Sequence, residues 1–347
     1  MSDWLIYGAN GYTAKLIARE AAARGVKPIV AGRNRKSIEP LAAELGCEVR
    51  IFGLDDVAAA AAKLSGVRVV LNCAGPFVRT APPLIDACLR AKASYCDITG
   101  EIDAIEHAAT RDEAARAAGV SVIPSVGFDV VPTDCLAAQL KLALPDATYL
   151  ALAFTGSGVL SPGTAKTMLE SLPHGGRMRI EGRIVGVEPG GRTREIPFPS
   201  GKKLCTAIAW GDVAGAFYST GIPNIETYTT LGSGGGRGMK LLAPLLKFSP
   251  VMALGRWFIG RTVHGPDDQE LRTGRSEIWG EVKNAAGDTR TATLTTPNGY
   301  RLTVLTSLAA VERMLKGDIA PGFHTPSAAF GPEFILGIQG VQLRPTT

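Results

Sequence analysis

Short apolar runs and amphipathic stretches alternate from the first residues of the chain. Trp4-Leu5-Ile6-Tyr7 is a continuous apolar run, followed by the turn Gly8-Ala9-Asn10-Gly11 and by Tyr12 to Ala18 at helical period. The unit then repeats. Pro28 to Gly32 is apolar, and Arg35 to Leu45 places Ile38, Leu41, Ala42 and Leu45 on one helical face. Glu48 to Phe52 is a short strand, Asp55 to Leu64 an alanine-rich helix capped by Asp55 or Asp56, and Val67 to Cys73 a buried strand. A helix over Pro82 to Ala91, a strand over Ser94 to Asp97, a helix over Ile102 to Ala118 and a strand over Val120 to Pro124 complete the series. Strands that are apolar on both faces, separated by helices, predict a doubly wound α/β sheet of the Rossmann type with six parallel strands.

After a helix over Thr133 to Ala143 the pattern changes. Tyr149 to Phe154, Met178 to Val187, Lys203 to Ala209 and Glu226 to Thr230 read as sheet, with a helix over Thr164 to Leu172. Ile278 to Lys283 and Thr289 to Thr295 flank the turn Asn284-Ala285-Ala286-Gly287-Asp288 and predict a hairpin. A second, α+β domain follows. The division expected is residues 1–145 for nucleotide binding, 146–296 for substrate or dimerisation, and 297–347 for a segment, including the Tyr300 to Lys316 helix, that packs back on the first domain.

The 347 residues carry a net charge of +5, with no basic arm interleaved with aromatics, so nucleic acid is not an expected partner. The six cysteines lack paired spacing and sit in apolar contexts, as in a reducing compartment. No signal peptide precedes the first strand, and a cytoplasmic location is expected. Met239 to Gly260 is the most apolar late stretch, but Lys240, Lys247, Arg256, Pro244 and Pro250 interrupt it, so a transmembrane segment is not expected. A pair of amphipathic helices is the reading. Their surface would cover an apolar ligand, a second subunit in a homodimer, or a membrane surface as a peripheral contact.

Candidate chemistry gathers at the carboxyl ends of the strands, where open parallel sheets bind ligands. Gly8 suits a positive-φ turn, Gly11 admits a close backbone approach, and Ala14 is small enough for helix-on-strand packing. Gly8, Asn10, Gly11, Tyr12 and Thr13 therefore form a candidate pyrophosphate cradle at a helix N-terminus. Arg33 stands where NAD-specific units carry an acid, and Asn34, Arg35, Lys36 and Ser37 follow, a pattern that suits the 2′-phosphate of NADP. Asn72, Ala74, Gly75, Pro76 and Phe77 end the fourth strand, and Thr99 and Gly100 the fifth; all are candidate cofactor contacts. Asp97, Glu101 and Asp129 are the candidate acid–base residues, with helix capping the alternative for Asp97 and Glu101, and Asp134 read as a cap. Of the histidines, His107 reads as solvent-facing, and His324 as the one worth testing. No His/Cys/Asp cluster has ligand spacing, so no metal is expected. Between His174 and Lys203 seven Arg or Lys residues face three Glu, either a solvated strand face with Arg179 and Arg183 together, or a landing site for an acidic partner.

These motifs resemble the saccharopine dehydrogenase-like oxidoreductases, and within them the trans-acting enoyl reductases. The likeness rests on Gly8-Ala9-Asn10-Gly11-Tyr12-Thr13, Cys73-Ala74-Gly75-Pro76-Phe77, Tyr95 to Glu101 and Gly127 to Asp134. It continues at Ser161-Pro162-Gly163-Thr164, Gly211-Asp212, Ser219 to Asn224, Pro297-Asn298-Gly299-Tyr300 and Gly322 to Pro326. The resemblance implies a nicotinamide cofactor and a small-molecule substrate, but fixes no substrate. Hydride transfer to an apolar unsaturated acyl compound, linked to CoA or a carrier, is the leading expectation. C–N chemistry on an amino acid and a non-catalytic cofactor sensor are the alternatives.

Overall fold

The structure, a computed structural model, describes residues 2–156, 159–171, 175–188, 190–230 and 249–346. It divides into two compact units: residues up to Val131 with Leu302–Gly331, and Pro132–Arg301 with the residues from Pro332 onward. These bounds differ from the sequence division. The late segment is shared between the units instead of returning whole to the first.

In the first unit, β1 (Trp4–Tyr7), α1 (Tyr12–Ala23), β2 (Ile29–Gly32), α2 (Arg35–Leu45), β3 (Val49–Ile51) and α3 (Val57–Lys63) alternate. So do β4 (Val69–Asn72), α4 (Phe77–Ala91), β5 (Ser94–Asp97), α5 (Ile102–Ala109), α6 (Asp112–Ala118) and β6 (Ser121–Ile123). A seventh strand, β15 (Gly322–Phe323), pairs in parallel with β6, so the six strands expected become seven and the order is β15-β6-β5-β4-β1-β2-β3. The core of this order is that of a Rossmann sheet, with its switch point between β1 and β4. All four residues of β1, of β2 and of β4 are buried, as helices on both faces require. Leu5, Tyr7, Ile29, Val70 and Tyr95 pack in one cluster with Leu64, Leu84, Ile85 and Cys88 of the α3–α4 layer.

Two helices depart from expectation. The fourth starts at Phe77, not Pro82, and holds Pro82 and Pro83 inside it. Those prolines remove two intrahelical donors, and the helix start is secured instead by Glu101, which accepts from its first N–H groups. The helix read over Ile102 to Ala118 breaks at Thr110, whose hydroxyl donates to the His107 carbonyl, and Asp112 and Glu113 then open α6 at its electropositive end. His107 does not face solvent as expected: it is partly buried, its Nε2 fully so, and burial followed by the Arg111 charge lowers its pKa.

α7 (Val131–Ala143) leads into the second unit, whose strands are β7 (Tyr149–Thr155), β8 (Gly176–Ile180), β9 (Arg183–Val187), β10 (Thr193–Phe198), β11 (Gly201–Ala207) and β12 (Asn224–Thr229). The predicted hairpin is present as β13 (Arg275–Lys283) and β14 (Thr289–Pro297), and β16 (Gln342–Thr346) adds to β14. Its helices are α8 (Pro162–Ser171), α9 (Asp212–Thr220), α10 (Ser249–Thr262) and α11 (Asp268–Thr273); α12 (Gly299–Lys316) and α13 (Pro326–Phe330) follow in the chain. The nine-stranded sheet is antiparallel apart from β12 beside β7. Gly280 lies under α7: a Cβ there would come within 2.7 Å of Leu140 and 3.1 Å of Leu136, so the helix can approach only because that strand position is bare.

The run Met178 to Val187 is a hairpin, not one strand. Glu181 and Gly182 both have positive φ, the signature of a tight primed turn, and Arg179 faces Ile184 while Ile180 faces Arg183. Arg179 and Arg183 therefore lie on opposite faces. β10 and α9 carry no strong periodicity and have no counterpart in the sequence reading. Met239 to Phe248 and His174 lie outside the described residues.

Candidate active site

The parallel register of β2, β1, β4, β5 and β6 brings their carboxyl ends side by side. Every candidate cofactor contact lies on these ends. At β1, Gly8 has φ +79, and its N–H and that of Ala9 both donate to Ala31 of β2. A Cβ on Gly8 would sit 2.7 Å from the Ala74 side chain and 2.8 Å from its backbone nitrogen, so this glycine lets the β1 and β4 turns touch. Gly11 is different. A Cβ there meets only carbonyl oxygens, Gly8 at 3.4 Å and Cys73 at 3.8 Å, which is ordinary contact. The protein itself has room at Gly11, and the bare backbone is what a phosphate needs.

Gly11 is also the N-cap of α1, where no side chain caps the helix and the first turn holds no acid. With Asn10, Tyr12 and Thr13 beside it, that end supplies N–H donors and the positive pole of a 12-residue helix. Arg33 follows β2 directly, is exposed, and makes no ion pair among the described residues. The Asn34 side chain caps α2 by accepting from the Lys36 backbone N–H, Arg35 pairs with Glu39, and Arg33 is the cation nearest the strand end.

The β4 and β5 ends are joined by a polar chain. Asn72 accepts from the Ala74 N–H and donates to Thr80 and to the Tyr95 hydroxyl, which in turn donates to Asp97 at 2.7 Å. Asp97 also accepts from the Thr99 and Ser125 N–H groups at 3.0 and 2.8 Å. Burial outweighs these bonds and raises the Asp97 pKa to about 6. Ser125 holds positive φ, a conformation unusual for a residue with a side chain, and the bond from its N–H to Asp97 fixes it there. The Thr99 hydroxyl accepts from the Glu101 N–H, and Glu101 accepts from Phe77 and Val78 at 2.9 and 2.8 Å, closing a loop back to the β4 turn. Asp97 and Glu101 thus both bind backbone, as caps do.

Asp129 sits apart from that chain. It follows Gly127-Phe128, whose backbone is held by the Thr303 hydroxyl, and its carboxylate packs on Gly100, where a Cβ would come within 2.8 Å of Asp129 Oδ2. Burial, and then the charge of Glu101, push its pKa up to about 7. Its proton is therefore exchangeable at neutral pH, the property required of a general acid. The size of this shift could not be read from sequence, because it comes from burial in the fold and from the charge of Glu101 at the neighbouring strand end.

In the second unit four cations of the basic stretch have defined partners. Arg179 is buried and donates to Val213 and Gly182, with its guanidinium 4.1 Å from the Phe217 ring centroid. Arg192 pairs with Glu226, Arg194 with Glu281 at 2.8 Å, and Lys203 with Glu277. A hydroxyl cluster missed in the sequence reading joins the Ser161 and Tyr300 motifs: the Ser161 N–H donates to the Tyr300 hydroxyl, which donates to Thr164.

Residues 4–123 match the family described as the saccharopine dehydrogenase NADP binding domain. The match covers the strand–helix alternation of the first unit, and it supports a nicotinamide cofactor as the ligand of that stretch. The chain is 32% identical over 156 residues to a human saccharopine dehydrogenase-like oxidoreductase, covering 38% of this chain and 35% of that one. It is 31% identical over 146 residues to a Mycobacterium leprae trans-acting enoyl reductase, covering 40% and 35%. The chain thus spans about a third of the length of these curated relatives. In fold it is similar over its full length to saccharopine dehydrogenase (L-Glu forming) from Saccharomyces cerevisiae, with a TM-score of 0.65 at 13% identity.

Proposed function

We propose that the protein is an NADP(H)-dependent oxidoreductase that reduces an apolar unsaturated substrate, presented as an acyl thioester of CoA or a carrier. The observation that carries this reading is that one carboxyl edge of the sheet holds a turn of bare backbone at a helix N-terminus, an Arg33 with no ion pair among the described residues, and an acid whose pKa is raised to about 7. Gly8, Asn10, Gly11, Tyr12 and Thr13 would hold the pyrophosphate, Arg33 and Asn34 the 2′-phosphate. Asn72, Ala74, Gly75, Pro76, Phe77, Thr99 and Gly100 would line the rest of the nucleotide.

The bound nucleotide supplies a hydride. Saturating a carbon–carbon double bond also takes one proton, and Asp129 is the group assigned to deliver it. Asp97 and Glu101 act in this reading as positioning groups: one fixes Ser125 and Thr99, the other the start of α4, and together they hold Gly100 against Asp129. The C–N alternative calls on arginines that converge on substrate carboxylates. Arg179, Arg192 and Arg194 are engaged by backbone or Glu partners, and this favours the apolar substrate, as does the name of the mycobacterial relative.

A series of 2-enoyl-CoA thioesters of increasing chain length tests the substrate class. Each methylene buried contributes about 0.8 kcal/mol, roughly fourfold in affinity. KM measured with saturating NADPH should fall stepwise with chain length until the site is filled. A flat series, or turnover of an amino acid with an oxo acid instead, would remove the acyl substrate.

A further inference from the structure

The helix α10 exposes a stripe that nothing among the described residues covers. Leu254, Trp257, Phe258 and Arg261 recur at helical spacings of three and four, and the three apolar side chains are 65%, 53% and 58% exposed. The opposite side is the packed one. Gly255 abuts Leu169 of α8, where a Cβ would come within 2.7 Å. Trp257 and Arg261 are stacked, guanidinium 4.3 Å from the ring centroid, which holds an aromatic ring and a cation at the same level of the surface.

Charge decides what such a stripe fits. From Leu231 to Pro266 the sequence holds Arg237, Lys240, Lys247, Arg256 and Arg261 and no Asp or Glu. The next acids are Asp267, Asp268 and Glu270, which open the following helix; Asp267 and Glu270 are engaged in a capping box with each other's backbone, and Asp268 is exposed. No helix among the described residues is long and apolar enough to cross a membrane.

We infer that α10 docks on an anionic lipid surface, with Leu254, Trp257 and Phe258 in the headgroup–acyl boundary and Arg261 among the lipid phosphates. Bulky apolar residues on one helix face with cations beside them are the arrangement that lies in a membrane interface. The inference is independent of the reaction proposed above, since docking needs neither cofactor nor substrate.

Co-sedimentation of the full chain with phosphatidylglycerol–phosphatidylcholine vesicles tests it. Binding is expected to the mixed vesicles and to be at least tenfold weaker to pure phosphatidylcholine. It should weaken in high salt, because the attraction is screened beyond about 8 Å at physiological ionic strength. A blue shift of tryptophan emission on binding, absent in Trp257→Phe, would place that ring in the lipid. The double variant Trp257→Ser/Phe258→Ser should lose binding at least tenfold with an unchanged melting curve and unchanged NADPH affinity. Equal binding by the double variant, no binding to anionic vesicles, or a dimer that dissociates to monomer in the double variant would each overturn the inference. The last of these would assign the stripe to a second copy.

Discussion

Replacing Gly11 with Val should abolish NADPH binding while leaving a folded protein. The two halves of that expectation come from different contacts. A Cβ at Gly11 meets nothing of the protein closer than 3.4 Å, so the fold accommodates a side chain. A branched side chain would fill the space through which the turn reaches a pyrophosphate, and the N–H donors of α1 would be screened from it. Gly8→Val provides the contrast. There φ is +79 and the Ala74 backbone lies 2.8 Å from the new atom, so the melting temperature should drop together with binding. Calorimetric titration and thermal unfolding of both variants separate the cases. Normal NADPH affinity in Gly11→Val would make the turn purely structural.

Asp129→Asn should lower kcat by about 10²–10⁴, the usual worth of a positioned general acid, with little change in NADPH affinity. The carboxyl is pushed up to about 7, and in the proposed reaction its protonated form is the donor, so the rate of reduction should be highest below that pH and fall as pH rises through it. The variant should lose that limb of the profile. Asp97 titrates at about 6 and is also raised, but its oxygens accept from Tyr95, Thr99 and Ser125, so its removal should disturb the fold before it alters the pH profile. An unchanged kcat and pH profile in Asp129→Asn would send the donor role elsewhere, with the Tyr300 hydroxyl cluster the next group to test.

Much of the first unit was legible because its signals are local. A buried parallel strand is an unbroken apolar run, and Gly8, Gly11 and Arg33 sit at fixed offsets from such runs. The glycine turn and the cation therefore point to their ligand from sequence alone. What escaped reading depends on partners distant in the chain. The start of α4 at Phe77 is set by Glu101, twenty-four residues on. The pKa of Asp129 is set by its burial and by the charge of Glu101, from a neighbouring strand end. β15 is a two-residue strand that exists only because β6 offers an edge, and Asp112 secures it through the Phe323 N–H. The Glu181-Gly182 turn was hidden for another reason: two short strands joined by a two-residue turn keep an alternation that looks continuous. The second unit's basic residues could be counted but not paired, because Glu226, Glu277 and Glu281 come from strands much later in the chain.

In the proposed reading this sheet edge binds NADP(H), with Arg33 as the group that selects the 2′-phosphate. A charge-assisted hydrogen bond of this kind contributes about 1.5–3 kcal/mol, roughly one to two decades in affinity. Titration of the purified protein with NADPH and NADH, in parallel with Arg33→Ala, measures it directly. NADPH should bind the wild type at least tenfold more tightly than NADH, and most of that gap should be erased in Arg33→Ala. Equal affinities of the wild type for the two nucleotides would contradict it.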